Sequence, residues 1–376
     1  MQDAFVQAIE TWPIKGQPRN PQAWLLTTAR RRLVDKFRRD SHHNHSKTIQ
    51  AIMDCLHTDE CEHEADSPIP DERLKLMFVC CHPALAREAQ VALTLKTLSG
   101  LQVKEIARAF LVPEVTMRQR LTRAKQKISK AGIAYEVPDN TQLIERLPAV
   151  LSVIYLIFNE SYTAYEGQTL SRQDLADEAI RLATILYDLL PRPDVAGLLC
   201  LMTLHNARRA ARQNTTDRFI PLEKQDRSLW NATEISQAKT LLLRVMAQSQ
   251  PEPYQTQAAI SALHSEAATW EATDWPQIIL LYEALYQMSP SPVVKLNQIV
   301  AIAHSGKAKA AMTELNTLKN VLIDYQPFYA ARAAIAKQLN QISLAIADYE
   351  QAIILSKNNA ERDYLIQQKN RLVQDQ

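Results

Sequence analysis

At 376 residues the chain exceeds one typical domain and predicts two or three. Its 46% apolar content supports real cores and excludes a disordered polymer. Only six glycines stand against abundant Ala, Leu, Gln, Lys, Arg and Glu, which predicts an all-α protein rather than a sheet.

The net charge of +2 hides a segregation along the chain. Residues 19–47 hold eight Lys or Arg against two acids, and 101–130 again hold eight against two. Between them, 54–72 hold eight acids and no Lys or Arg. Two basic blocks joined by an acidic strip predict two nucleic-acid contacts and a solvated linker. No run of about 18 apolar residues occurs, and the N-terminus lacks a basic-then-apolar signal, so no membrane partner is expected. The five cysteines are odd in number and scattered, as in reduced thiols, and a cytoplasmic location is expected.

In chain order, 2–12 reads as a short amphipathic helix with Phe5, Ile9 and Trp12 on one side. Residues 13–21 contain three prolines and a glycine and form a loop. A helix over 22–39 places Trp24, Leu25, Thr28, Leu33 and Phe37 toward a core, with Arg30, Arg31, Lys36 and Arg38 opposite. The polar, His-rich and then acidic segment 41–72 is a linker with room for one helical piece near 46–56. Helical pattern resumes at Asp71 and runs to about Lys130, with a break near His82 and Pro83. Pro138 marks the next boundary, and helices continue from Thr141 to the end. The parts are therefore 1–40, 41–70, 71–137 and 138–376.

The last part has an internal period. An offset of 34 places Gly306 on Asn340, Ala311 on Ala345, Met312 on Ile346 and Leu315 on Tyr349. An offset of 33 places Tyr282 on Leu315 and Leu285 on Leu318. Paired helices at this period are the signature of tetratricopeptide-like repeats.

The clearest local motif is a helix-turn-helix over 101–128. Ile106, Ala107 and Phe110 supply a short first helix with a small residue where the second must cross. Leu111, Val112 and Pro113 form the turn, and proline suits the start of the next helix. Val115, Leu121, Ala124 and Ile128 are assigned to the buried stripe of the second helix. Glu114, Thr116, Arg118, Gln119, Arg120, Thr122, Arg123 and Lys127 are left outward. That set suits a recognition helix: the N-terminal side chains reach base edges in the major groove, and the later Arg and Lys reach phosphates. An ordinary basic helix in a bundle is the bland alternative; the small residue, turn proline and charge placement together disfavour it.

On these residues the chain resembles the extracytoplasmic-function (ECF) sigma factors. Residues 71–135 are similar to sigma region 4, which reads the minus-35 element. Asp3-Ala4-Phe5-Val6-Gln7-Ala8-Ile9 and Ala23-Trp24-Leu25-Leu26-Thr27-Thr28-Ala29-Arg30-Arg31-Arg32 resemble the later part of region 2. The tail resembles the extension of one ECF subgroup through Leu147-Pro148-Ala149-Val150, Tyr155-Leu156-Ile157-Phe158-Asn159-Glu160, Leu204-His205-Asn206-Ala207-Arg208-Arg209, Gln225-Asp226-Arg227-Ser228-Leu229-Trp230 and Thr273-Asp274-Trp275-Pro276. The resemblance implies core RNA polymerase and promoter DNA as partners, with helix 2–12 docking on the polymerase. It also implies minus-ten contacts from the loop 13–21 and the helix after it, where an unstacked base is held; the candidates are Lys15, Gln17, Arg19, Asn20 and Trp24. Arg30, Arg31 and Arg38 would track phosphates, while helical spacing with Thr28 favours a core role for Trp24. The family carries a helix ahead of residue 2, so translation starting upstream of Met1 is expected, the other reading being a curtailed polymerase-binding domain.

Rival chemistry is weaker. Cys55 and His57, Cys61 and His63, with His42, His43 and His45, offer zinc ligands, but the spacing is not that of a standard finger, and neither metal nor cofactor is expected. Cys80, Cys81 and His82 fall in an apolar helix, as buried thiols do. Asn159, Glu160, Tyr162, His205, Arg208, Arg209, Asp226, Arg227 and Trp230 could converge in a pocket for a ligand or protein partner, or satisfy helix ends. No Gly-rich phosphate loop or nucleophile–base spacing occurs, so the chain is not expected to be an enzyme. An operator-binding regulator with a tetratricopeptide-like domain is the alternative; the first basic block argues against it.

Overall fold

The computed structural model describes residues 69–131, 138–162, 173–212, 219–248, 250–356 and 358–374, together with Trp12, which is helical. The predicted loop 13–21, the helix 22–39 and the cysteines and histidines of 42–63 lie outside the described residues, as does all of the helix 2–12 except Trp12.

The all-α expectation holds: the described residues form fifteen α-helices, three short 3-10 turns and no strand. The chain divides into two compact units, one of residues 68–118 with 138–376, the other of 1–67 with 119–137.

Helix α1 (Glu72–Cys80) is capped by Asp71, whose side chain accepts the Leu74 N–H at 2.9 Å. The chain breaks at Cys81–Ala86, where His82 Nδ1 accepts the Ala84 N–H, and resumes as α2 (Arg87–Leu98). Helix α3 (Val103–Ala109) opens with a capping box between Gln102 and Glu105. Helix α4 (Glu114–Ala131) comes after a tight turn. Leu74, Met77 and Phe78 of α1, Val91 and Leu95 of α2 and Ile106 of α3 are buried.

Helix α5 (Asn140–Tyr162) packs on α1, α2, α6 (Gln173–Leu189) and α7 (Pro193–Asn206). Its stretch Thr141–Ser161 is long and apolar enough to cross a membrane by composition, yet more than half of it is buried in this fold. Helices α8 (Ala232–Met246) and α9 (Pro253–Glu266) close a core of Cys200, Leu201, Leu204, Ala238, Leu242, Ala258 and Ala262 with α7. The α7–α9 crossing depends on Gly197: a Cβ there would stand 2.7 Å from both the Cγ and the backbone N of Gln255.

Helices α10 (Trp275–Met288), α11 (Pro292–His304), α12 (Ala308–Thr317), α13 (Gln326–Gln338), α14 (Ile342–Leu355) and α15 (Asn359–Gln374) continue as a series in which each packs on its chain neighbours. The period of 34 is visible in their bounds. Helices α11 and α13 begin and end 34 residues apart, and α12 and α14 begin 34 apart. Gly306 (φ 86°) and Asn340 (φ 57°) occupy the same left-handed turn position, the residues best suited to it. Ala311 and Ala345 are both fully buried, and Leu315 and Tyr349 are buried at equivalent points. Each pair is also tied by charge. Lys295 meets Glu314 at 2.9 Å, and Arg332 donates from Nε and Nη2 to the two oxygens of Asp348, 34 residues beyond Glu314.

Candidate nucleic-acid interface

The turn of the helix-turn-helix is built by local hydrogen bonds. Leu111 N–H donates to Arg108 O and Val112 N–H to Ala107 O, both at 3.0 Å, which forces Leu111 to φ 51°. This left-handed position favours glycine, and leucine costs about 1 kcal/mol there. Leu111 is exposed, so its side chain meets no obstacle. Pro113 stands just before α4, its carbonyl accepting the Met117 N–H at 3.1 Å.

The buried stripe of α4 differs from the sequence reading at one position. Leu121 and Ala124 are buried and Ile128 is half-buried, but Val115 is 65% exposed, and Met117, not Val115, heads the stripe with 0% exposure. At 100° per residue, 117, 121, 124 and 128 share one face, whereas 115 is turned away by about 200° from 117. Helical spacing with Leu121 and Ala124 alone selects Met117 over Val115.

Of the residues assigned outward, Arg118, Gln119, Thr122, Arg123 and Lys127 are exposed, and Glu114, Thr116 and Arg120 are half-buried. Arg118 is engaged along the helix: Nε donates to Glu114 Oε1 at 3.1 Å and Nη2 to the same oxygen, an i,i+4 pair in the favourable order. With Lys125 and Lys130, also exposed, α4 presents six cations against one carboxylate. Such an excess of positive charge favours a polyanion. The minus-ten candidates Lys15, Gln17, Arg19, Asn20, Trp24, Arg30, Arg31 and Arg38 lie outside the described residues.

Residues 75–128 match the family model "Sigma-70, region 4", and 146–246 match a family of unknown function (DUF6596). An uncharacterized protein of Rhizobium meliloti (strain 1021) is 40% identical over 377 aligned residues, covering 99% of this chain and 88% of that protein. This chain belongs to that protein's family. Its helix-turn-helix is a region 4 domain, a sigma-factor-like, DNA-binding element of transcription whose class works with promoter DNA and RNA polymerase. No solved structure matches the chain.

The region 4 domain of this family member is fastened to the helices on its C-terminal side. Arg146, the one cation of the largely apolar helix α5, is buried and donates from Nη1 to Phe78 O at 3.0 Å, satisfying a carbonyl near the end of α1. Burial lowers its guanidinium's proton affinity, which adjacent Glu145 partly restores. Arg87 of α2 donates to Pro148 O (3.3 Å) and Ser152 Oγ (3.1 Å) of α5. Asp71 meets Arg181 of α6 at 2.8 Å, and Arg73 meets Glu178 at 2.9 Å. Burial pulls the Asp71 carboxyl upward, but the Leu74 N–H and Arg181 outweigh it and hold it below the usual range. None of these ties is evident in the sequence, because each joins residues more than 60 apart. The single signal in the sequence is Arg146, the one cation of a largely apolar helix.

Of the three residues read as helical, Cys80 ends α1 while Cys81 caps it and His82 lies beyond; burial pushes the two thiols up to about 11 and about 12. Both shifts disfavour the thiolate at neutral pH.

The polar residues assigned to a tail pocket separate into two groups. Asp226 accepts from the N–H and Oγ of Ser228 and closes a 3-10 turn, and Arg209 forms a surface pair with Asp177 at 3.4 Å. The Tyr162 side chain is outside the described residues; Glu160 is buried in α5, and Asn159 is half-buried beside it. His205 is half-buried, and desolvation, with Arg208 and Arg212 nearby, holds its imidazole well below its ordinary range. Arg208 and Arg227 do converge, on Trp230. His264, which sequence reasoning missed, joins them, stacked at 5.9 Å on Trp270 and edge-on at 5.4 Å to Trp275.

Proposed function

We propose that this chain is a cytoplasmic, non-enzymatic sigma factor of the ECF kind that directs RNA polymerase to promoters. In this reading the region 4 helix-turn-helix binds the minus-35 element. Thr116, Gln119 and Arg120 near the start of α4 face base edges, and Arg123 and Lys127 face phosphates. Residues 1–40 engage the minus-ten element and the polymerase. The observation that carries the reading is the excess of six cations over one carboxylate on α4, five of the six exposed, within a region 4 match.

The domain from 138 onward is tetratricopeptide-like and acts on region 4 in cis. The 34-residue register of α11–α14 supports the first statement. The second is supported by Arg146, Arg87 and Arg181, which bind α1 and α2 to α5 and α6 without any second chain.

The test adds the full chain to core RNA polymerase and sequences the transcripts from a genomic template. Promoter-specific initiation is expected. Specific duplex binding without any such transcript would instead make the chain an operator-binding regulator. For the cis role, Arg87→Ala combined with Arg181→Ala, with helicity unchanged, is expected to alter output; identical output and promoter choice would sink it.

A further inference from the structure

Two segments singled out in the sequence, 204–209 and 225–230, meet in the structure, and promoter reading uses neither. The Asn231 N–H donates to Ala207 O at 2.8 Å and joins them. The guanidinium carbons of Arg208 and Arg227 thereby lie 5.9 and 4.5 Å from the centre of the Trp230 ring. Arg208 is 4% exposed and Trp230 7%.

Arg227 has one evident structural role. Its Nη1 donates to His264 O (2.7 Å) and Ala267 O (2.6 Å), closing the C-terminal end of α9. That role leaves much unaccounted for. Arg208 Nε, Arg227 Nη2 and Trp230 Nε1 are buried donors with no acceptor among the described residues. No carboxylate among those residues forms an ion pair with either arginine; exposed Glu271 acts on Arg227 only at longer range. The two guanidiniums repel each other, and burial and both arginines push the imidazole of His264 beside them down to about 3, so that it stays neutral and adds no third positive charge. Buried donors of this kind call for an acceptor, which solvent or a bound anion can supply, and two like charges side by side favour the anion.

On the outer side lies a groove of about 550 Å³ bordered by Arg227, Trp230, Ser265, Ile235 and Leu243. This is the size range of small-molecule sites, with a mixed polar and apolar lining. Its rim carboxylate, Glu266, is neutralised by Lys239 at 2.8 Å. We infer that this corner of the C-terminal domain binds a small ligand bearing a carboxylate or phosphate group, its oxyanion held by Arg208, Arg227 and Trp230 and its body in the groove. The wall that carries Arg227 and Trp230 has only 3-10 turns for regular structure, Leu222–Lys224 and Arg227–Leu229.

The test labels the full chain with ¹⁵N-tryptophan and assigns the Trp230 indole resonance by Trp230→Phe. Inorganic phosphate and acetate are titrated separately, with sodium chloride holding ionic strength constant. A saturable shift of the Trp230 N–H is expected with at least one probe, and the stronger one names the oxyanion. Arg208→Gln and Arg227→Gln are each expected to weaken it by about tenfold or more, as for loss of a charge-assisted hydrogen bond. Arg227→Lys, which keeps the charge but loses the planar fork, should also weaken it. Lys319→Gln, on an exposed residue elsewhere, should not. No shift with either probe, a shift matched by chloride alone, or equal shifts at all indoles would overturn the inference, even if every arginine variant failed to fold. With neither DNA nor polymerase present, the outcome is separate from that of the sigma-factor reading.

Discussion

Arg123 offers a direct measure of how α4 meets DNA. Its side chain is exposed and forms no ion pair among the described residues, so Arg123→Ala should change folding stability by no more than about 0.5 kcal/mol. If Arg123 neutralises one phosphate, its loss removes one unit of counterion release and reduces the slope of log K against log salt by about 0.9. At roughly 0.1 M salt that amounts to about an eightfold loss of affinity, or about 1.2 kcal/mol. Between about 0.05 and 0.2 M the variant should lose about 3.5-fold less affinity than the parent. Fluorescence anisotropy with any labelled duplex suffices, because the contact is independent of sequence. Arg118→Ala should have a smaller effect, since Glu114 already engages that guanidinium. An unchanged salt slope for Arg123→Ala would refute the assignment of this face to the DNA backbone.

The fold makes three further outcomes testable. Gly197→Ala drives a methyl to 2.7 Å from the backbone of Gln255 and should destabilise by about 1–3 kcal/mol, read as a lower urea midpoint; an unchanged midpoint would mean α7 and α9 cross less tightly than described. Asp348→Asn leaves Arg332 buried and uncompensated at 7% exposure and should cost about 3–5 kcal/mol by the same assay, while a loss below about 1 kcal/mol would place the pair in a solvated setting. His264 has its imidazole lowered from 6.5 to about 3 in the folded chain, so its contribution is complete above 6.5 and is lost as pH falls toward 3. His264→Phe should therefore flatten the decline in stability over that window, and parallel curves for variant and parent would contradict it.

The helices were largely legible because their punctuation is local. Asp71, Pro113, Pro138 and the 34-residue spacing of Gly306 and Asn340 mark ends that backbone chemistry enforces wherever the chain goes. Met117 was legible in principle, since its face is set by spacing alone. The contacts that give the C-terminal domain its character were not. That Arg208 and Arg227 share one indole, or that Arg146 finds the carbonyl of Phe78, depends on how helices distant in sequence cross. Gly197 likewise reads as a weak point in a helix until Gln255 is seen against it. The polar residues of the tail were recognised as a set, but only packing separates Asp226, engaged in its own turn, from Arg227, engaged elsewhere.

The charged ties at Lys295–Glu314 and Arg332–Asp348 close within successive helix pairs instead of bridging between distant parts of the chain. A unit of 34 residues therefore carries its own electrostatic balance along with its turn and its buried alanine. Duplication or loss of one whole unit would change the reach of the array without leaving a buried charge stranded, whereas a gain or loss of any other length would break the register of its helices. Length in this part of the molecule is thus a variable that evolution, or an engineer, can adjust in whole steps.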